Sequence, residues 1–402
     1  MIVVGAGLVG LASAWLLQRR GHRVLLLDPG PAAATAAAGP AEPTAATGGD
    51  GPTASPETLA AGDGAAGGIA VRSGSGAALG LLMAQVFHRS SGRAWRLRQR
   101  SLALWSEWRQ ELEDRGRPLD WRPGLLLLAS SPEELERQRR LVEQRRALGM
   151  PLELWERSRL ETLDPLLPEG ALAGLHSAAD GQLDPGRAME VLRQDALAAG
   201  LTLRRSRARA LIPRGGADGR KGWRLELQEG DSLEGRWLVL AAGVESAALL
   251  EPLGLQRPLE PVLGQALELE LEEPPPWSHW PGAVSWRGFH LVPRPQRAGG
   301  CGLWLGATLE PGQQATQAAL AELRSLAGAA PPWLRRARLR QHWLGLRPRP
   351  LGRPAPLLEQ LRPGLLLAAG HYRNGVLLAP VSAEWIRDQV EDSAAAPLTI
   401  TA

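Results

Sequence analysis

The residues most able to do chemistry at this spacing are three glycines. Gly5, Gly7 and Gly10 follow an apolar run at 1–4 directly and open a helix-compatible run at 8–20. Such a turn suits the diphosphate of a dinucleotide. Gly5 permits the tight bend, Gly7 lets the backbone approach the phosphates, and Gly10 lets helix and strand pack closely. The helix start at Leu8 and Val9 then faces the anion with unpaired N–H groups. A second apolar run, 24–27, ends at Asp28, whose carboxylate can accept hydrogen bonds from a ribose diol. Two later segments repeat the form of strand, small-residue turn and helix start. One runs from Trp237 to Gly243 and is followed by Ser246. A glycine there lets a second backbone stretch pass close to a cofactor. The other runs from Leu365 to Gly370, with Asn374 as the expected N-cap of a helix over 375–390.

These turns need strands and helices to hold them. Residues 90–115 have helical periodicity, with Trp95, Leu102, Trp105 and Leu112 on related faces. Ser131 and Glu134 form a capping-box pattern for a helix reaching about residue 147. Asp184 and Pro185 supply a cap and a first-turn proline for a helix over 186–199. Strand signals recur at 201–203, 223–227, 237–241, 266–271, 289–292, 303–306 and 365–368, with a further helix at 313–326. Interleaving of both kinds without a fixed repeat predicts two α/β layers that share a chain crossing back and forth. Residues 31–74 are dominated by Ala, Gly, Pro, Thr and Ser and read as a disordered low-complexity insertion.

With 402 residues, 44% hydrophobic and 22% charged, the chain has the make-up of a soluble globular protein with two or three domains. The pI near 10.2 does not signal nucleic acid, because the net charge is only +4. Lys221 is the sole lysine, and arginine keeps its charge to very alkaline pH. The arginines of 137–146 alternate with Glu136 and Glu143, as on a solvated helix face. Cys301 is alone, which rules out a disulfide or a cysteine zinc site and fits a reducing, cytoplasmic setting. No metal site is expected. No charge precedes Arg19, but glycines interrupt the apolar run and no basic region leads it, unlike a signal peptide or a membrane span.

The run Gly370-His371-Tyr372-Arg373-Asn374-Gly375-Val376-Leu377-Leu378-Ala379-Pro380 resembles the C-terminal signature of the glycine oxidases. These belong to the D-amino-acid-oxidase-like group of FAD-dependent amine oxidoreductases. The segments 180–185, 291–294, 305–308 and 343–348 fit the same pattern, in the same order. The resemblance implies non-covalent FAD, held by an α/β Rossmann-like domain interleaved with a substrate domain built on an antiparallel sheet (α+β). It divides the chain into a discontinuous FAD-binding domain (1–30, 75–88, 180–255 and 337–392), a substrate domain (89–179 and 256–336), the insertion at 31–74 and a tail at 393–402. Cofactor contacts are implied at Gly5, Gly7, Leu8, Val9, Gly10, Asp28, Ala208, Gly243, Gly370, Asn374, Gly375, Val376 and Leu377. Leu79, Gly80 and Leu81 resemble the small-residue segment near the flavin ring, with Leu79 in place of an alanine. A helix N-terminus near the flavin N1 and C2=O would stabilise charge developing there.

The same resemblance implies an amino-acid substrate whose carboxylate pairs with Arg347, since guanidinium is the natural bidentate partner. Arg373 would help to hold substrate or flavin. His290 stands where the pattern has a tyrosine that covers the substrate, and it can still donate a hydrogen bond. His371 is expected to bond locally. The implied reaction is hydride transfer from the α-carbon to flavin N5, then hydrolysis of the imine, with oxygen restoring the flavin and yielding peroxide. Glycine or a related small amine would be the substrate, and the imine would serve the thiazole of thiamine. Two rivals stay open: a dehydrogenase with another electron acceptor, and a silent FAD-binding protein. Small substrate and oxygen would be the partners, without membrane or nucleic acid, and a homo-oligomer is compatible. Removing residues 31–74 is expected to preserve FAD binding. A soluble deletion variant purified without FAD would refute this.

Overall fold

The computed structural model describes residues 1–30, 69–215 and 221–395. The expected disorder at 31–68 and the tail beyond 395 lie outside the described residues. The first strand, Ile2–Val4, sits inside a six-stranded sheet, with Leu25–Asp28 on one side and Leu238–Leu240 on the other. Thr202–Arg205 and Leu365–Ala369 extend it in parallel, and Leu357–Arg362 closes one edge antiparallel. Period-2 alternation splits the apolar side chains between two layers. Val3, Leu26, Val239 and Leu366 pack under helices. Ile2, Val4, Leu238, Leu240, Leu365 and Leu367 pack on a three-stranded antiparallel sheet through Leu211, Trp223, Leu225 and Leu227. This is the parallel nucleotide-binding layer that the glycine pattern predicts.

A mixed sheet of eleven strands forms the second layer. Near one edge lies the long antiparallel pair Leu259–Glu270 and Arg338–Pro350, followed across the sheet by Gly302–Gly306, Phe289–Arg294 and Ala283–Trp286. Pairing therefore puts residues 338–350, grouped above with the nucleotide-binding part, into the sheet of the substrate part. Leu81–Leu82 and the 180–183 end of Ala173–Leu183 join the same sheet. The strand Arg338–Pro350 is rich in arginine and half-buried, so it lacks the apolar run that marks a strand in sequence.

The insertion also ends earlier than its composition suggests. Ala70–Val71 pairs with Trp343 and Leu344. Arg72 stacks 4.3 Å from the Trp343 ring and donates to Gln341 at 2.6 Å. A cation on an aromatic face is a real contact, so residues 69–74 belong to the fold. The deletion that tests the insertion stops at residue 68.

The caps expected at Asp184 and Ser131 form, the second with a shift. Asp184 accepts from the N–H groups of Gly186 and Arg187, and Thr316 caps Gln317–Ser325. Ser131 accepts from Glu134 N, but the Glu134 carboxylate reaches Ser130 N rather than closing the box on Ser131.

The C-terminal helix, Gly375–Ala395, carries Pro380 inside it. Proline has no N–H, so the Val376 carbonyl loses its helical donor. The Trp105 indole of helix Gly92–Glu113 supplies one at 3.1 Å. Ser101 Oγ inserts one residue along, donating to Leu377 O at 2.6 Å and accepting from Val381 N at 3.3 Å. Both side chains are fully buried. Trp105→Phe strands a buried carbonyl and is expected to cost about 1–3 kcal/mol of stability. Adding Pro380→Ala should recover part of that, because residue 380 can then donate to Val376 O. Urea unfolding of the double-mutant cycle measures this coupling, and additive effects would count against it.

Candidate active site

The glycine turn has the geometry its sequence predicts. Gly5 adopts φ +100°, and a β-carbon there would sit 2.5 Å from the Ala241 carbonyl oxygen. A β-carbon on Gly10 would run into the carbonyl of Gly5. Glycine at both positions lets turn, helix and the strand end at Ala241 close on one another. Gly7 is the extended N-cap of the helix Leu8–Arg19 and brings no capping side chain of its own. Asp28 lies at the end of the second strand. Its Oδ2 accepts from Ala6 N at 2.7 Å and its Oδ1 from Gly30 N at 2.8 Å. Each oxygen keeps acceptor capacity for a ribose hydroxyl. A glycine turn and a placed carboxylate fit a dinucleotide, although the Leu8 N–H expected to be unpaired is taken by the Ser75 hydroxyl.

Ser75 is part of this corner, and the sequence reading passed over it. Its hydroxyl accepts from Leu8 N at 2.9 Å and lies beside Gly7. Ala208 begins a strand two residues beyond Ser206, whose N–H donates to Asp28 O at 3.2 Å. Gly243 (φ +59°) and Gly370 (φ +64°) both turn left-handed where their strands end. Gly370 packs against Pro350 and Leu259, so this turn touches the long pair of the large sheet. Asn374 is not an N-cap: Tyr372–Asn374 forms a 3₁₀ turn that runs directly into Gly375. Tyr372 enters it at φ +54°.

One face of the large sheet carries the remaining candidates. Arg347 is paired with Val262, Gly345 with Gly264, Ala266 with Gly306, and Gly306 with His290. Directly opposed residues share a face, and alternation extends it along each strand. Three glycines flatten this face. A β-carbon on Gly264 would collide with the Arg347 guanidinium, one on Gly345 would meet Ala77, and one on Gly306 would meet Leu79 at 3.1 Å. The glycines allow Arg347, Ala77 and Leu79 to lie against the sheet. Gly80 (φ +85°) turns against the Leu183 carbonyl, with Leu81 paired to Gln182. The buried Arg294 pins the turn by donating to Leu79 O at 2.9 Å and Leu183 O at 3.3 Å. A lone glycine inside a strand pattern is the signal that could have singled out Gly264.

Arg347 donates to the carbonyls of Leu263 and Thr308, each at 3.1 Å, and touches no carboxylate among the described residues. Burial, with the nearby charge of Arg373, holds its pKa down to about 10. His290 is buried, and its Nδ1 has no hydrogen-bond partner. Burial and the charges of Arg373 and Arg347 push its pKa down to about 3, so the ring is neutral at physiological pH. The fold thus brings Arg347, Arg373 and His290 together, with Arg373 exposed at the rim. His371 lies apart, buried, with Nε2 2.8 Å from Ser382 Oγ, and burial also lowers its pKa to about 3.

A parallel layer with a glycine turn beside a mixed sheet that carries Arg347 and His290 on one face is the layout of a nucleotide-binding enzyme. The chain belongs to the DAO family of FAD-dependent oxidoreductases, whose family model matches residues 1–389. It is 26% identical to the glycine oxidase of Geobacillus kaustophilus over 396 residues, covering 97% of this chain and 92% of that enzyme. The crystal structure of that enzyme superimposes with a TM-score of 0.76 at 25% identity, over 97% of this chain and 94% of that one. The glycine oxidase of Pseudomonas putida is 38% identical over 155 residues, which span 38% of this chain and only 40% of that enzyme. The bifunctional protein ThiO/ThiG of Nostoc is 27% identical over 406 residues, 99% of this chain and 53% of that protein. FAD is accordingly the cofactor. No described helix is long and apolar enough to cross a membrane, and the described residues hold no cluster suited to a metal ion.

His290 and His371 set a pH dependence of stability. Both have folded pKa values below the unfolded value near 6.5, so their contribution is full above that pH and is lost as pH falls towards 3. Each adds a slope approaching about 1.4 kcal/mol per pH unit below pH 6.5. Urea unfolding between pH 7 and 5 should show the loss, and His371→Gln should reduce it. An unchanged slope in that variant would contradict the assignment.

Proposed function

We propose that the protein oxidatively deaminates glycine or a related small amino acid or secondary amine, and that Arg347 binds the substrate carboxylate. One observation carries this reading: a half-buried guanidinium with no carboxylate in contact among the described residues lies on the same sheet face as a buried imidazole whose Nδ1 is unpaired. Burying polar groups without partners is costly, so the pair is poised for an anion that brings acceptors. Arg347 would take the carboxylate, His290 would add a hydrogen bond at its free nitrogen, and Arg373 at the rim would draw the anion in. FAD, when bound, supplies the hydride acceptor. The chain's part is to hold the α-carbon at a fixed distance and to exclude water through Leu79 and the flat glycine face.

In the same reading, the cofactor lies along Gly5, Gly7, Leu8, Val9, Gly10, Asp28 and Ala208. It continues past Gly243 and the segment 79–81 to Gly370, Asn374, Gly375, Val376 and Leu377. The two sheets act as nucleotide-binding and substrate domains. Peroxide is the expected by-product, and the imine of glycine would serve thiamine thiazole assembly.

Mixing the purified flavoprotein with glycine, sarcosine or D-alanine without oxygen tests the proposal. The flavin absorbance should bleach with at least one of them, and air should restore it with formation of peroxide. Arg347→Ala should lower kcat/KM by about 10²-fold or more, as for loss of a charged hydrogen-bonding partner, while keeping FAD. A flavin that no amine bleaches would sink the oxidation reading. Bleaching without peroxide in air would instead favour a dehydrogenase.

A further inference from the structure

Arg347 is aimed by the Thr308 carbonyl, and Thr308 is itself clamped. Its N–H donates to Gln265 O at 3.2 Å, and its hydroxyl accepts from Gln265 N at 2.8 Å. The hydroxyl proton goes to Glu310, 2.5 Å away. Glu310 is a buried carboxylate, 7% exposed, that the proposed chemistry does not use. It also accepts from Gln265 Nε2 at 2.9 Å, Thr316 N at 2.7 Å and Thr316 Oγ1 at 2.9 Å. Gln265 is fixed in turn: its Oε1 faces His342 Nε2 at 2.9 Å, which leaves its amide nitrogen to donate. Every strong acceptor site of Glu310 is engaged, and a buried carboxylate survives as an anion only under such conditions.

We infer that Glu310 is the positioning residue of the substrate-binding arginine: through Thr308 it fixes the carbonyl that orients Arg347, and it supplies that arginine's buried counter-charge. This rests on the reading of Arg347 as the carboxylate anchor. The charged and titratable groups acting on Arg347 are Arg373, which lowers its pKa, and Tyr372 and Glu310, which raise it. His290 is neutral beside them. Removing the Glu310 charge therefore leaves Arg373 less opposed, and Arg347 loses its proton at lower pH. A side chain that merely packed would not move that titration.

The test uses the FAD-loaded enzyme and acetate, which has a carboxylate but no amine to confuse the alkaline limb. Acetate binding is followed from pH 7 to 10.5 by its perturbation of the flavin absorbance. Glu310→Gln should weaken binding about tenfold, the effect of misplacing one charged hydrogen bond, and shift the alkaline loss of binding to lower pH. Thr308→Val should weaken binding without that shift, because the carboxylate remains. Thr308→Ser, which keeps the hydroxyl, should behave as the parent enzyme. Parent-like affinity and an unmoved alkaline limb in FAD-loaded Glu310→Gln would overturn the inference. If that variant yields no FAD-loaded protein, unchanged acetate binding in Thr308→Val overturns it instead. Acetate that binds equally well to the parent and to Arg347→Ala would remove the anchor reading itself, and the inference with it.

Discussion

A guanidinium half withdrawn from water with no carboxylate in direct contact is the constraint on which the site depends. Arg347 meets only two carbonyls, and carbonyl dipoles do not neutralise a cation. Its cost of burial has to be borne by the fold, and on the proposed reading an anion would offset it. The neighbourhood is organised accordingly. Gly264 clears the space, Thr308 and Leu263 supply acceptors, and the charge of Glu310 partly offsets that of Arg373. A protein that satisfied Arg347 internally would be more stable and would lose the ability to select an anion.

Such a site needs rigid walls, and the helical layer provides them. Asp195, nearly buried, accepts from the Trp15 indole at 2.8 Å and from Arg19, Arg115 and Arg117 at 2.9–3.3 Å. These side chains come from two helices and the loop after a third, Gly92–Glu113, so one carboxylate ties the glycine-turn helix to its neighbours. Trp105 and Ser101 hold the C-terminal helix at Val376 and Leu377, shortly after Gly370. Both ends of the expected cofactor path are therefore set by buried polar contacts between helices, which are specific in direction where apolar packing is not.

The nucleotide-binding layer was legible in the sequence because its demands are local. A turn that must approach phosphate needs glycine at fixed offsets, and a buried parallel strand needs an apolar run. Asp28, Gly243 and Gly370 all fall where that logic predicts. The large sheet was less legible. Arg338–Pro350 alternates polar and apolar residues with arginines throughout, and no local rule separates it from a basic loop. Residues 69–74 were hidden by their small-residue composition, although Arg72 finds a tryptophan far away in sequence. Gly264, Thr308 and Glu310 matter only through Arg347, and the register that joins them is set by pairing across distant segments. The Asn374 cap failed for a simpler reason: the chain is already helical one turn earlier.

The electrostatics of the assembled face bear on the form in which an amine can react there. Arg347 and Arg373 are cationic, and His290 is held neutral by both of them together with its burial. On the proposed reading, a substrate carboxylate would compensate one guanidinium and leave a positive field around the adjoining nitrogen. That field, with the low local dielectric, favours the uncharged amine over the ammonium form. Only the uncharged amine has a lone pair to stabilise the carbon as hydride leaves. On the proposed reading, the same cations that would recruit the carboxylate would lower the proton affinity of the amine beside it. No dedicated base is needed, and a protonated histidine at 290 would add little that the arginines do not already supply.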